Sequence, residues 1–389
     1  MKAVICGAGI AGLACAQRLD TLGWDVVVLE KAPGPRAQGY MIDFFGPGYD
    51  AAEDMGVLPA LLDVSYRVEE AAYRDARGRR RAGLSYERFA DALDGRLFSI
   101  MRPDLERALR AHLRPGVELR YGTGPRAVDD TPDGVRVTLT DGTALDADLL
   151  VGADGIHSTV RELVFGPEDR FLRYLGFHTA AYLFTDPGLR DAVAGRFNLT
   201  DTAGRQMGFY GLRDGRVAAF TVHRTPDPSL PADPRAAVRR AYAGLGWITP
   251  RALDLCPPSD EVYYDQVAQV TMDRWSHGRT VLLGDACYAV SLLAGQGASL
   301  AVAGAHVLAR HLERAASVPA ALDGYERAWH PVTVGKQRVA RNAARWFLPG
   351  SPWELLLRRI ALRATALPGV DRYVATALVG KPTTVVPRP

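Results

Sequence analysis

The N-terminal stretch constrains the fold more than any other part of the chain. Residues 2–6 (KAVIC) read as a short buried strand, and Gly7-Ala-Gly9-Ile10-Ala11-Gly12 follows directly. Residues 10–22 then read as a helix and 25–30 (DVVVLE) as a second buried strand ending in Glu30. Continuous β-branched runs on either side of a helix indicate a parallel β-α-β unit. In that setting G-x-G-x-x-G has a physical meaning. Gly7 permits the tight turn, Gly9 lets backbone approach a pyrophosphate, and Gly12 allows helix and strand to pack closely. The helix N-terminus offers unpaired N–H groups and a partial positive charge to phosphate. Glu30 can accept hydrogen bonds from a ribose diol. A dinucleotide site is expected, with NAD and FAD both open at this point.

Composition excludes several other classes. The 389 residues are 48% hydrophobic, enough for a sizeable core in two or three domains. The 47 basic and 44 acidic residues leave a net charge of +3, which gives no reason to expect a nucleic-acid or acidic-membrane partner. Cys6, Cys15, Cys256 and Cys287 form no CxxC pair, so neither a disulfide framework nor a metal site is expected, and a reducing cytoplasm fits. Cleavage of the apolar N-terminus as a signal peptide would delete the glycine turn. No run approaches the roughly 20 apolar residues that span a bilayer, so a soluble protein is expected.

Further along, Tyr49 to Leu62 shows helical periodicity and residues 66–99 read as short strands and loops. The basic run Arg77-Gly-Arg-Arg-Arg81 reads as a solvated hairpin tip, with a contact to a nicotinamide phosphate as the alternative. Arg102 to Leu113 reads as a helix with Pro103 in its first turn. Strands are expected near 117–121, 134–140 and 145–151. From about 171 to 270 alternating strands (171–184, 205–211, 216–223, 262–270) and one helix near 234–245 suggest an antiparallel sheet. After Arg279 a buried strand returns at Thr280 to Leu283, followed by a long helix from about Gly297.

Two later segments add to the first. Gly152-Ala-Asp154-Gly155-Ile-His157-Ser158-Thr-Val-Arg161 follows the strand Ala147 to Val151, and Gly284-Asp285-Ala286 follows Val281 to Leu283. The latter continues into Gly295-Gln296-Gly297 and a small-residue helix, Ala298 to Leu312. These resemble the "DG" and "GD" fingerprints of the class A flavoprotein monooxygenases, the family that includes para-hydroxybenzoate hydroxylase. With the glycine turn, the resemblance runs from Met1 to about Arg314.

The resemblance implies an α/β fold: a Rossmann-like FAD-binding domain of the glutathione-reductase type, an inserted antiparallel substrate sheet, and C-terminal helices. The expected divisions are 1–170 with 271–345 for FAD, 171–270 with part of 66–100 for substrate, and a helical segment at 346–389. Asp285 would accept a hydrogen bond from the ribityl chain. The helix opening at Gly297, with Gly295, Gln296 and Ala298, would face the flavin pyrimidine. Arg102, in Ile-Met-Arg-Pro-Asp-Leu, matches a flavin-contacting arginine. Lys31 and Arg36 fall beside the adenosine half, and Ile10 and Ala11 at the pyrophosphate. Asp154 and Arg161 would organise the junction beside the cofactor. Two departures touch the oxygenation loop. Cys287-Tyr288 stand near a usual His, and Leu292 stands where Pro is usual. Ser299 lies near the place of a frequent asparagine.

The same resemblance implies FAD reduced by NAD(P)H, with NADPH slightly preferred, and oxygen transfer through a flavin C4a-hydroperoxide. An electron-rich aromatic, enol or alkene would be hydroxylated, epoxidised or subjected to Baeyer–Villiger oxidation. Gln206, Phe209, Tyr210 and His223 are candidate pocket residues, although the phase of the strands leaves their faces open. Tyr40-Met-Ile-Asp43-Phe-Phe-Gly46-Pro-Gly48 resembles monooxygenases acting on polyketide antibiotics and tetracyclines, which suggests a bulky aromatic substrate. A geranylgeranyl-reductase-type enzyme shares these motifs and is the alternative, with a non-catalytic flavin-binding protein behind it. Residues 353–378 read as a helix capping the flavin domain, with a membrane or subunit contact as the other reading. Monomer and homodimer are both compatible.

Overall fold

The computed structural model describes residues 1–35, 39–91 and 93–364. Its first layer is a six-stranded sheet in the order 276–277, 280–282, 149–152, 2–6, 25–30, 118–121. Every pairing in it is parallel except the 276–277 hairpin. Register aligns Cys6 with both Leu29 and Gly152, and Gly152 with Leu282. The strands that precede the three motifs are therefore neighbours and end at one edge. Their sequences are apolar throughout because both faces are covered, and Ala3 to Cys6 and Leu149 to Val151 are at most 1% exposed.

Helix Ile10–Thr21 packs on the long helix Gly297–Arg314. Small residues also let it sit close on the strand and turn that precede it. A Cβ at Gly12 would fall 1.9 Å from the Gly7 carbonyl oxygen, and Gly7 itself has φ +107°. Strands 125–130, 135–139 and 144–147 form a separate antiparallel meander.

The second layer is a seven-stranded sheet in the order 263–270, 172–184, 217–224, 205–211, 197–202, 70–74, 80–85. Strands Glu70–Arg74 and Arg80–Ser85 extend it through a parallel pairing of 70–74 with Phe197–Thr202. Both faces are covered. Met207, Phe209, Val217 and Ala219 pack with Val238 and Tyr242 of helix Pro234–Tyr242 and Ala252 of helix Thr249–Asp254. Tyr210 and Ala218, on the other face, meet Met41 and Met101 of the hairpin 41–45/97–101.

Helix Pro352–Ala364 does not cap the flavin-side layer as the sequence suggested. It lies against strand 80–85, with Leu362 packed on the Tyr73, Ala82 and Leu199 cluster. The reason is electrostatic. Arg358, 3% exposed, pairs with buried Asp201 and stacks 4.4 Å from the Tyr73 ring centroid, and Arg359 reaches Asp201 at 3.0 Å. The helix thus turns Arg358 and Arg359 inward and leaves Trp353, Leu356, Leu357 and Ile360 exposed. The rest of that expected segment, 365–378, lies outside the described residues. Removing one partner of a buried pair strands the other charge. Asp201→Ala is expected to lower stability by about 3 kcal/mol in urea unfolding, and Asp201→Leu combined with Arg358→Leu to recover most of it.

Candidate active site

A cavity of about 540 Å³ runs along the motif-bearing edge of the parallel sheet, and strand Tyr263–Val270 forms part of its far wall. At one end it meets Glu30, Lys31 and Thr123, in the middle the turn Gly7–Ala11, and at the other Asp285, Ala289–Leu292, Gly295, Gly297 and Ala298. All three motifs border one space.

The glycine turn is shaped from two directions. A Cβ on Gly7 would lie 2.3 Å from the Ala153 carbonyl oxygen, so this glycine lets the first motif touch the second. A Cβ on Gly9 would meet nothing closer than Glu106 Oε1 at 3.6 Å and Arg102 Nη2 at 3.9 Å. Gly9 therefore leaves room on the cavity side, where an anion can approach backbone N–H. Neither helix 10–21 nor helix 297–314 takes a side-chain cap at its N-cap residue. Two helix N-termini with their positive dipole ends border the same cavity.

Glu30 braces the turn. Its carboxylate accepts the Ala8 N–H at 3.0 Å and the Ala32 N–H at 2.9 Å. Each oxygen keeps a further lone pair for a sugar hydroxyl. Lys31 borders the cavity beside it, while Arg36 lies outside the described residues. Arg102 opens helix Arg102–Ala111, lines the cavity, and pairs with Glu106 at 2.8 Å.

Asp154 borders the cavity and also braces its own loop. It accepts from Ser158 Oγ at 2.5 Å and the Val160 N–H at 3.1 Å, which ties down the start of helix Thr159–Phe165. Arg161 is 0% exposed and joins the second motif to the third. Its guanidinium donates to the Ala286 carbonyl at 3.0 Å, the Ile156 carbonyl at 2.8 Å and Glu168 at 2.8 Å. Asp285 opens the short helix Asp285–Tyr288 with its side chain exposed to the cavity inside the protein. Burial of the site pushes its pKa up, and the Arg102 guanidinium acts in the opposite sense. A carboxylate in this position has acceptor capacity turned toward a ligand.

Ile10, Ala11, Gly295, Gly297 and Ala298 line the cavity, whereas Gly12 and Gln296 stand behind the lining. The four sheet candidates do not reach it. Gln206 pairs in register with Val222 and Tyr210 with Ala218, on the hairpin side of the sheet. There the Tyr210 hydroxyl accepts the Met41 N–H, and Gln206 Oε1 accepts from Arg358 at 3.4 Å. Phe209 and His223 point the other way because alternate strand residues face opposite sides. Phe209 packs under Trp247, and His223 Nδ1 lies 3.0 Å from the Tyr242 hydroxyl. The basic run 77–81 is also elsewhere: Arg79 and Arg81 pair with Asp75, and Arg80 with Glu70.

Tyr40 and Ile42, from the Tyr40–Gly48 segment singled out in the sequence, stand in the wall, and Tyr263, Asp265 and Val267, which the sequence reading passed over, complete it. The Tyr40 ring lies 5.8 Å from Phe220 and 5.7 Å from Tyr263. The available signal was the chain position of 263–270, shortly before Gly284-Asp285. His157 spans the gap between the layers. Its Nδ1 is 3.0 Å from Glu168 and its Nε2 3.5 Å from Asp265. Asp265, with Glu168 adding to it, pushes the imidazole pKa up to about 9, so the ring is a cation at neutral pH.

Comparison with known proteins agrees with this geometry. The family described as "FAD binding domain" matches residues 1–341. The uncharacterised protein Rv1260 of Mycobacterium tuberculosis (strain H37Rv) is 35% identical over 327 residues, covering 80% of this chain and 85% of its own. The 3-amino-4-hydroxybenzoate 2-monooxygenase of Streptomyces cremeus is 31% identical over 407 residues, covering 100% of this chain and 99% of its own. In fold, the chain superposes on the tetracycline destructase Tet(51) with a TM-score of 0.81 at 24% identity, covering 98% of this chain and 99% of that one. The likeness to the hydroxybenzoate monooxygenase favours oxygenation over the reductase alternative. The chain belongs to the FAD-binding-domain family and is an FAD-dependent monooxygenase of the aromatic-hydroxylase type.

Proposed function

We propose that FAD lies along this cavity and that the chain hydroxylates an electron-rich aromatic ring presented from the side of the seven-stranded sheet. The observation that carries this reading is the convergence of three distant motifs and two helix N-termini on one cavity. When bound, FAD supplies the redox chemistry: two electrons from NAD(P)H pass to O2, one oxygen atom enters the substrate and the other leaves as water.

The chain's own residues do the positioning. Glu30 would take the adenosine ribose hydroxyls, and the N–H groups after Gly9 the pyrophosphate. Asp285 would accept a ribityl hydroxyl. The start of helix 297–314 would stabilise negative charge on the reduced ring. Arg102 would sit beside the flavin, its charge balanced by Glu106. Tyr40, Phe220 and Tyr263 offer aromatic faces for stacking a planar substrate and excluding water. His157 holds the second motif to strand 263–270 and so closes the cofactor space against the substrate sheet. The fit of both a benzoate-sized relative and a tetracycline-sized fold neighbour leaves substrate size as the quantity to measure, and a bulky polyketide-like phenol is the proposed class. The four free, buried cysteines suit a reducing cytoplasm.

The test is to purify the protein, identify the released cofactor, and follow NAD(P)H oxidation and O2 uptake with polyketide-like phenols and with aminohydroxybenzoates. Substrate-stimulated uptake with a hydroxylated product is expected. Turnover of small benzoates alone would overturn the bulky class, and substrate that accelerates neither flavin reduction nor O2 uptake would overturn hydroxylation. Asp285→Ala is expected to weaken FAD binding about tenfold or more, the worth of one hydrogen bond to a charged acceptor, as read by quenching of flavin fluorescence. The His157 contribution has a defined pH window. Its pKa is raised, so the stabilisation is complete below about 6.5, declines above that, and is lost as pH rises through about 9. The wild-type melting temperature should fall more steeply between pH 7 and 10 than that of His157→Gln.

A further inference from the structure

The loop from Ala289 to Gly295 borders the cavity between Asp285 and helix 297–314. Its backbone is also strained. Ser291 has φ +98°, a left-handed value rare for a residue with a Cβ, and Gly295 follows at +62°. Such a conformation persists only where its surroundings over-determine it. The Ser291 hydroxyl accepts the Leu293 N–H at 3.2 Å, which secures the far side of the strained residue. What secures the near side lies behind the loop, away from the cavity.

Two buried glutamines stand there, Gln269 at 1% and Gln337 at 4% exposure. Gln337 Nε2 donates to the Ala289 carbonyl at 3.1 Å and to the Val270 carbonyl at 2.6 Å. Gln269 Nε2 donates to the Val290 carbonyl at 2.9 Å and to the Gln337 backbone carbonyl at 3.0 Å. Each amide has two N–H groups, and both are used. Arg341, one turn on from Gln337 in helix Val318–Phe347, donates to Gln269 Oε1 at 2.9 Å and so fixes which end of that amide faces the loop. The two carbonyls immediately before Ser291 are thereby tied to a sheet strand and to the long C-terminal helix.

We infer that Gln269 and Gln337 are positioning residues that hold the Ala289–Gly295 loop in its strained form and so set the cavity floor against the flavin ring. The inference rests on the FAD placement proposed above. Neither glutamine touches the cavity; they act through the carbonyls of Ala289 and Val290. The chemistry requires a neutral amide. A methionine at 337 leaves the Ala289 carbonyl only the Val270 N–H at 3.3 Å, a methionine at 269 removes the side-chain donor from the Val290 carbonyl, and a glutamate turns carboxylate oxygens toward them.

The experiment compares wild type, Gln337→Met, Gln337→Glu and Gln269→Met by hydrogen exchange without added FAD, and then by the visible spectrum, midpoint potential and peroxide yield of the FAD-loaded protein. Amides 290–296 should exchange at least about tenfold faster in the Met variants, while those of strands 2–6 and 149–152 keep wild-type rates. The bound-flavin spectrum and potential should shift, and the fraction of NAD(P)H oxidised to hydrogen peroxide should at least double. Arg341→Met removes a single bond from an exposed position and keeps the test open should a buried variant not fold; it should show the same signature at smaller amplitude. Wild-type exchange in the loop together with an unchanged spectrum and potential would overturn the inference. Failure of the wild-type protein to bind FAD would overturn the cofactor reading instead, and the exchange arm would still decide whether the glutamines hold the loop.

Discussion

Parallel pairing of strands 280–282, 149–152 and 2–6 is the constraint on which the rest depends. Parallel strands release their chains at the same edge, so each motif begins where its strand ends and all three share one crevice. The pairing requires strands buried on both faces, and the apolar runs in this chain supply them. Close contact between the motifs then depends on missing side chains. Gly7 admits the Ala153 carbonyl and Gly12 admits Gly7. A Cβ at either position would force the helix or the second motif away from the sheet edge.

A second set of bonds makes the three motifs mechanically one. Glu30 holds the glycine turn through the Ala8 N–H, and Arg161 carries the second motif to the Ala286 carbonyl of the third. Arg161 is wholly buried with Glu168 as its counter-charge, and Glu168 also faces His157, which reaches Asp265 on the seven-stranded sheet. One ion-pair chain therefore runs from the third motif to the wall of the cavity. Partly buried pairs of this kind fix one arrangement among several more than they add stability, and a cavity assembled from distant segments needs such fixing.

This division explains what could be read in the sequence. Motifs whose meaning is local, such as a glycine that must lie between strand and helix, carry their signal in adjacent residues. The β-α-β unit, the Asp285 turn and the helix after Gly297 were legible for that reason. Features set by long-range pairing were not. Strand 197–202 (FNLTDT) ends in three consecutive polar residues, and its Asp201 is buried only because Arg358 arrives from more than 150 residues away. The inward arginines of helix 352–364 invert the usual amphipathic pattern, so a reading by hydrophobic face assigned it to the wrong layer. The strand faces at Gln206, Phe209, Tyr210 and His223 depended on phase, and one residue of phase exchanges the two sides of a sheet.

The loop after Asp285 shows how a departure in sequence and a constraint in structure meet. Leu292 stands in the cavity wall where a proline was the expected residue, and a proline there would restrict the residue before it. That residue is Ser291, the strained one. A proline at 292 would push residue 291 toward extended backbone with negative φ, so its absence permits the φ of +98° without imposing it, and the control comes from elsewhere. It comes from hydrogen bonds on either side: the Ser291 hydroxyl ahead, and the glutamine-held carbonyls of Ala289 and Val290 behind. Cys287 fits the same pattern. It is buried, its thiol held in the neutral form by burial, and it fills space beside Arg161 without offering a titrating group. Hydrogen bonds from the sheet and from the C-terminal helix thus meet at this loop, which brings the helix, remote in sequence from every motif, up behind the cavity wall.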